Sequence, residues 1–172
     1  MGVDTALHEG LTAREWLDAI ADIGEKQGYY SELGDQHAAL FVERDQNVLF
    51  VAFETIASAR AQSERHLPLA FDICDTRGWS HLTLLCKRDT WFRDDEVIAF
   101  FDRMVDDAFF EEFDRVIFYG AGSCGYAACA FSVAAPGSTV IAVSPQATLM
   151  RPLTAWDDRC PAMRRTDFVS RY

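Results

Sequence analysis

The stretch VIFYGAGSCGYAA, residues 116–128, decides the fold class of this chain. Its first four residues are apolar and favour β structure, the next six include three glycines, and small residues suited to a helix follow. The pattern predicts a buried strand that runs through a tight turn directly into a helix. A strand that is apolar on both faces is typical of a parallel sheet covered by helices.

Apolar runs that alternate with helical patterns lie on both sides of this stretch. Residues 81–86 and 139–143 predict buried strands, and residues 94–110 predict an amphipathic helix with acidic side chains in its first turn. Parallel strands need crossover helices of this kind, which cover the faces of the sheet. We therefore predict an α/β fold, with a mostly parallel central sheet and helices on both faces.

The N-terminal part adds a helix and a hairpin to this prediction. Thr12 and Glu15 form the capping-box pattern at the start of a helix that ends near Gly28. Two β-rich runs, residues 38–43 and 48–54, are separated by four polar residues, which favours an antiparallel hairpin. No linker or repeat interrupts residues 1–172, so we predict a single domain.

The composition excludes several classes of function. The 172 residues carry 27 acidic and 16 basic side chains, and the net charge of −11 would repel nucleic acid or an anionic membrane surface. No apolar run reaches the roughly 18 residues that cross a bilayer, and the first nine residues lack the pattern of a signal peptide. The five cysteines form no C-x-x-C pair. We predict a cytoplasmic protein that binds a small molecule, but no metal, nucleic acid or membrane.

The glycine-rich turn has two interpretations, of which the first is a dinucleotide site. Gly120, Gly122 and Gly125 satisfy the G-x-G-x-x-G spacing between a strand and a helix, as in proteins that hold the pyrophosphate of NAD or NADP. In such proteins an acidic residue about 20 positions later binds a ribose hydroxyl, whereas Val143 and Ser144 stand there in this chain. A dinucleotide-binding oxidoreductase is therefore the alternative function, and the favoured one needs no cofactor.

The second interpretation is a nucleophile elbow, in which a sharp strand-to-helix turn holds a serine above the sheet. From about residue 38 to residue 143, the order of predicted elements resembles that of the α/β-hydrolases up to the strand after the nucleophile helix. The sequences FYG at 118–120 and GYAA at 125–128 are similar to the elbow-bearing segment of that family. The resemblance implies an α/β-hydrolase-like fold and a serine esterase or other acyl hydrolase activity.

Three registers of the elbow pattern place different residues in the nucleophile position. With Gly120 as the first small residue, Gly122 takes that position and the site has no nucleophile. With Ala121 as the first small residue, the nucleophile is Ser123, and this register is the favoured one. A third register gives the position to Cys124. The sequence therefore predicts Ser123 as the nucleophile, with Cys124 as an alternative.

The other parts of the implied catalytic machinery are incomplete. In the family an acid and then a histidine follow the serine, but all four histidines of this chain precede residue 120. Asp157 and Asp158 are the acid candidates, and the implied oxyanion donors are the amide of Cys124 and one at Thr55 or Ile56. Either the chain is a shortened piece of a longer protein that supplies the missing strands, or the fold persists as a non-catalytic interaction scaffold. We expect weak or no hydrolysis from these residues alone.

Overall fold

Six strands form one sheet in the computed structural model, which describes residues 6–169 and residue 172. The order in the sheet is β1-β2-β4-β3-β5-β6. Strands β3 to β6 are parallel to one another, and β2 runs antiparallel to β1 and to β4. The predicted α/β class, with a mostly parallel sheet and an antiparallel hairpin, is confirmed. The strands are β1 Gly28–Leu33, β2 His37–Val42, β3 Asp45–Thr55, β4 Trp79–Cys86, β5 Arg115–Ala121 and β6 Thr139–Val143.

The antiparallel hairpin is not the predicted one. The sequence predicts pairing between residues 38–43 and 48–54, but these runs form β2 and β3, and β4 lies between them in the sheet. Strand β2 pairs instead with β1, from Gly28 opposite Val42 to Leu33 opposite His37. The predicted pairing was wrong because β3 is apolar enough to be buried between two parallel neighbours, which a hairpin with β2 would prevent.

Six α-helices accompany the sheet, and α1 begins as predicted. The Thr12 hydroxyl accepts a hydrogen bond from the Glu15 amide at 3.3 Å, and the Glu15 carboxylate accepts one from the Thr12 amide at 2.8 Å. Within residues 6–169 and 172, no helix combines the length and the hydropathy that a membrane span requires. The helices are α1 Ala13–Gln27, α2 Ile56–Gln62, α3 Leu69–Cys74, α4 Asp95–Asp106, α5 Ser123–Phe131 and α6 Arg151–Thr154.

The helices divide between the two faces of the sheet. On one face, α4 and α5 pack on an aromatic cluster in which the Phe53 ring lies 5.9 Å from that of Phe101 and 5.7 Å from that of Phe131. On the other face, α1, α2 and α3 cover a second set of apolar side chains, which includes Trp16 and Phe71. This arrangement leaves the carboxyl ends of β3, β4 and β5 together at one edge of the sheet, where ligands bind in folds of this kind.

Candidate functional site

The turn between β5 and α5 has a positive φ at one residue, Gly122. This residue has φ 59° and ψ −124° and immediately precedes α5. Its amide donates to the Val143 carbonyl at 2.9 Å, and its carbonyl accepts from the Tyr126 amide at 3.1 Å. Contacts with both β6 and α5 therefore hold it in a conformation that costs a residue other than glycine of order 1–3 kcal/mol. The residue with the unusual backbone conformation is thus Gly122, and Ser123 is the first residue of the helix.

The other two glycines of the turn allow α5 to approach β5 closely. A Cβ atom on Gly120 would lie 2.1 Å from the carbonyl oxygen of Cys124, and one on Gly125 would lie 3.1 Å from that of Gly120. A Cβ atom on Gly122, in contrast, would meet nothing within 4 Å. Packing of the helix on the strand therefore accounts for Gly120 and Gly125 without a bound pyrophosphate, and space remains open only at Gly122.

The first amides of helix α5 have no side-chain cap among residues 6–169 and 172. The first amide that donates to a carbonyl at the start of this helix belongs to Tyr126. The amides of Ser123, Cys124 and Gly125 precede that residue, and the first amides of a helix have no acceptor within the helix. Because the helix dipole makes this end positive, these amides are suited to a carbonyl oxygen or an oxyanion.

The Cys124 thiol lies in apolar surroundings. Its side chain is buried in the cluster that contains Phe53 and Phe131. A hydrogen bond with Cys124, together with burial, raises the pKa of the Cys86 thiol far above its ordinary value. Since a thiolate is the reactive form of cysteine, the environment of Cys86 disfavours nucleophilic chemistry, and Cys124 contributes to the apolar core.

A cleft of about 430 Å³, here called the turn cleft, opens beside Gly122 at the carboxyl edge of the sheet. A larger cavity of about 730 Å³ lies at the opposite edge, where β5 and β6 begin. Ligands of parallel sheets bind at the carboxyl ends of the strands, so the turn cleft is the candidate site. Its lining residues are Phe53, Glu54, Thr55, Ser58, Gln62, Leu69, Asp89, Tyr119, Ala121, Gly122, Ser123 and Cys124.

The turn cleft contains a buried carboxyl group, that of Glu54, which sequence analysis missed. Glu54 is 5% exposed, and its Oε1 atom accepts from the Leu69 amide at 3.0 Å. Its Oε2 atom is buried and has no hydrogen-bond partner among the described residues. Burial raises the pKa of this carboxyl to about 7, and the charge of Asp72 acts in the same direction. The only signal in the sequence was an acidic residue at the end of an apolar run.

The predicted oxyanion residues are divided between two places. Thr55 lines the turn cleft, and its hydroxyl accepts from the Ser58 amide at 3.0 Å, which caps α2. Ile56 is buried in the apolar cluster beneath α1 and does not line the cleft. Of the two predicted oxyanion residues Thr55 and Ile56, the structure therefore brings only Thr55 to the turn cleft.

The two acid candidates lie outside the turn cleft. Asp157 accepts a hydrogen bond from Gln146 at 2.9 Å, and Arg159 donates to both of its carboxylate oxygens. These hydrogen bonds, those from Arg159 foremost, hold the pKa of Asp157 well below its ordinary value. Asp158 is exposed. The structure thus uses Asp157 in a local turn and does not bring either aspartate to Ser123.

No histidine among the described residues lines the turn cleft. His37 lies in β2, three strand positions from β5 and therefore roughly 14 Å away at about 4.8 Å per strand. His81 is fully buried in β4, and burial lowers its pKa to about 3. The His66 ring is within hydrogen-bond distance of the Arg60 carbonyl. Within residues 6–169 and 172, no three His, Cys, Asp or Glu side chains form a group that could hold a metal ion.

The chain has a distant structural similarity to a protein of known structure. No protein-family model matches the chain, and no curated protein sequence matches it. The chain is similar to the capsule O-acetyltransferase of Neisseria meningitidis serogroup A, solved in complex with caged gadolinium, with 14% sequence identity and a TM-score of 0.47. The similarity covers 75% of this chain and 56% of that protein, so the chain spans little more than half of its length. A similarity at this level defines neither a family nor an activity.

Proposed function

We propose that the chain is an α/β-hydrolase-like domain that binds a small acyl compound in the turn cleft and forms no acyl-enzyme intermediate on serine. The observation that carries this proposal is the backbone of Gly122. An elbow holds its nucleophile on a strained residue between strand and helix, and in this chain that residue is a glycine. The register with Gly120 as the first small residue is therefore the one that we propose, in place of the register that makes Ser123 the nucleophile.

The start of α5 supports binding of an acyl group. Ser123 and Cys124 line the cleft, and their amides at the start of α5 form a pair of hydrogen-bond donors for a carbonyl oxygen. The space beyond Gly122 is open, which leaves room for the carbonyl group itself. A hydrolase that has lost its nucleophile would keep this part of the machinery.

The contacts of the glycines do not favour the dinucleotide alternative. Gly120 and Gly125 are required where α5 meets β5, so their spacing needs no phosphate to explain it. The third interpretation, a non-catalytic scaffold, differs from the proposal in a measurable way, since a scaffold would leave the turn cleft without a ligand. Binding experiments at the cleft separate these possibilities.

Binding is tested with p-nitroacetanilide, a stable amide that carries an acetyl carbonyl. We expect millimolar concentrations to shift the backbone amide resonances of Ser123, Cys124 and Gly125 in a ¹H–¹⁵N NMR titration. The variant Ala121→Phe adds a ring to an exposed residue that lines the cleft and should abolish the shifts. The matched control is Ala57→Phe, which adds the same ring to an exposed residue outside the turn cleft. Shifts elsewhere, or none at millimolar concentration, would contradict the proposal.

The absence of a serine acyl-enzyme is tested with a fluorophosphonate probe, because such probes react with activated serines. In intact-protein mass spectrometry, the folded chain should be labelled no more than the urea-denatured chain. Rapid stoichiometric labelling that the variant Ser123→Ala removes would restore Ser123 as the nucleophile and overturn the register proposed here.

A further inference from the structure

We infer that Glu54 is the general base of the turn cleft and activates a water molecule for direct hydrolysis of a small ester. The inference rests on the proposed function, since it requires the acyl group to lie at the start of α5. It adds a catalytic residue and a substrate class to that proposal. Neither a serine nucleophile nor a histidine is needed for this route.

The position of Glu54 in the sheet carries the inference. Ala52 of β3 pairs with Tyr119 of β5, which is the last paired position of these two strands, and Glu54 and Ala121 each follow two residues later. Because paired strands are about 4.8 Å apart, Glu54 and Ala121 leave the sheet at the same end of neighbouring strands. Both residues line the turn cleft. The base and the first residues of α5 therefore border the same cleft.

The hydrogen bonding of Glu54 leaves one oxygen for a ligand. Oε1 is held by the Leu69 amide at the start of α3, which fixes the orientation of the carboxyl group. Oε2 is buried without a partner among the described residues, although buried polar atoms are normally hydrogen-bonded. A buried acceptor that borders a cleft and lacks a donor fits a water molecule or a hydroxyl group of a ligand.

The reaction that this arrangement supports consumes only the ester and water. The water oxygen bonds to the acyl carbon while its proton passes to the Glu54 carboxylate, and the amides of α5 stabilise the negative charge on the carbonyl oxygen. The bond between the acyl carbon and the alkoxy oxygen then breaks, and the leaving alkoxide receives the proton from Glu54. The products are a carboxylic acid and an alcohol, and Glu54 returns to its initial state.

The charges around Glu54 are suited to a base at neutral pH. Burial is the largest cause of the raised pKa of Glu54, which is about 7. The hydrogen bond from the amide at the start of α3 lowers this pKa, and the charge of Asp72 on α3 raises it. Asp89, which follows β4, lines the same cleft. The positive end of α5, which follows β5, borders this cleft at Ser123 and Cys124. A base with a pKa near the working pH combines a high deprotonated fraction with adequate basicity.

The inference is tested with p-nitrophenyl acetate, by following multiple turnovers at a wavelength where p-nitrophenol and its anion absorb equally. We expect slow hydrolysis above buffer whose rate rises with pH to a plateau, with a midpoint near 7. Glu54→Gln should lower the plateau by about 10² or more and remove the midpoint. Asp72→Asn should move the midpoint to lower pH and leave the plateau unchanged, which a merely structural role of Glu54 does not predict. Asp158→Asn, at an exposed residue that does not line the cleft, is the matched control.

The outcomes separate the inference from the proposed function. If p-nitroacetanilide binds in the turn cleft but Glu54→Gln hydrolyses the ester as fast as the original chain, Glu54 is not the base and the binding site stands. No hydrolysis above buffer in the original chain also overturns the inference. If the anilide does not bind, the proposed function fails whatever the kinetics show. Should Glu54→Gln not fold, Glu54→Asp, which withdraws the carboxyl by one methylene, should hydrolyse more slowly with a pH profile of the same shape.

Discussion

A positive φ occurs in two contrasting turns at the carboxyl edge of the sheet, at a glycine in one and at two bulky residues in the other. One is the β5–α5 turn at Gly122, and the other is the aromatic turn, formed by Trp91 and Phe92 between β4 and α4. Trp91 and Phe92 have φ of 59° and 56°, which is uncommon for bulky residues. Both are fully buried, whereas Gly122 borders the open turn cleft.

Packing and polar contacts offset the cost of the positive φ in the aromatic turn. The Trp91 ring lies 5.3 Å from that of Tyr126, and the Phe92 ring lies 5.0 Å from that of Phe53. His37 holds the turn by its ring nitrogens, with Nε2 at 2.6 Å from the Thr90 hydroxyl and Nδ1 at 3.3 Å from Asp94. An unfavourable backbone conformation, as at Trp91 and Phe92, therefore does not by itself indicate a functional site. A positive φ at a residue that borders an open cleft, as at Gly122, indicates a functional site better than a positive φ at a residue buried in the core.

The largest effect that this comparison predicts comes from removing an aromatic anchor. Trp91→Ala should lower the free energy of unfolding by about 3–5 kcal/mol, because it deletes a fully buried ring and keeps the strained backbone. Trp156→Ala, at a residue that is 78% exposed, is the matched control and should change stability by less than about 0.5 kcal/mol. Urea unfolding followed by circular dichroism measures both. Similar losses in the two variants would mean that the aromatic turn is not held by burial.

A smaller loss is expected where α5 touches β5. Gly120→Ala would place a methyl group 2.1 Å from the Cys124 carbonyl oxygen, a backbone atom that cannot rotate away. Overpacking of this kind typically costs 1–3 kcal/mol, and we expect about 3 kcal/mol because the helix itself must shift. Urea unfolding of this variant is the measurement. A loss below about 1 kcal/mol would show that the helix moves freely relative to the strand.

Local signals in the sequence predicted the strand–turn–helix around Gly122, and non-local contacts explain what was missed. Residues 116–128 carry their own strand, turn and helix pattern, so that unit was predicted correctly. The pairing of β2 was predicted incorrectly, because the choice between β3 and β4 as its neighbour depends on how all six strands are arranged. Glu54 was missed for the same reason, since α3 and α5, distant in sequence, create its burial and its cleft. The residue of the turn that has a positive φ could not be predicted, because the amino-acid sequence alone does not give backbone angles.

The polar contacts of the aromatic turn predict a dependence of stability on pH. Burial lowers the pKa of His37 in the folded chain, so the unfolded chain binds a proton near pH 6.5 that the folded chain does not. Stability from His37 is therefore present above pH 6.5 and is lost as the pH falls. Between pH 7.5 and 5.5 the original chain should lose more stability than His37→Gln, by no more than about 1.4 kcal/mol, which is the limit for a histidine that titrates only in the unfolded chain.

The difference between the two chains isolates His37 from other titrating groups. His81 has a pKa of about 3 and acts in the same direction, while Glu54, with its raised pKa, acts in the opposite one. Both groups are unchanged in His37→Gln and therefore cancel in the comparison. Parallel pH profiles for the two chains would mean that His37 becomes protonated without loss of its contacts with Thr90 and Asp94.

The smallest effect is expected at Gly122 itself, and it sharpens the contrast with Gly120. Gly122→Ala places a methyl group at a positive φ, which costs 1–3 kcal/mol of backbone strain, but the methyl group meets no atom within 4 Å. Alanine also restricts the unfolded chain, which offsets part of the strain by about 0.4–1 kcal/mol. The net loss should be about 1 kcal/mol by urea unfolding, well below that of Gly120→Ala. Equal losses in the two variants would mean that the space beyond Gly122 is filled, and then the turn cleft could not receive an acyl group there.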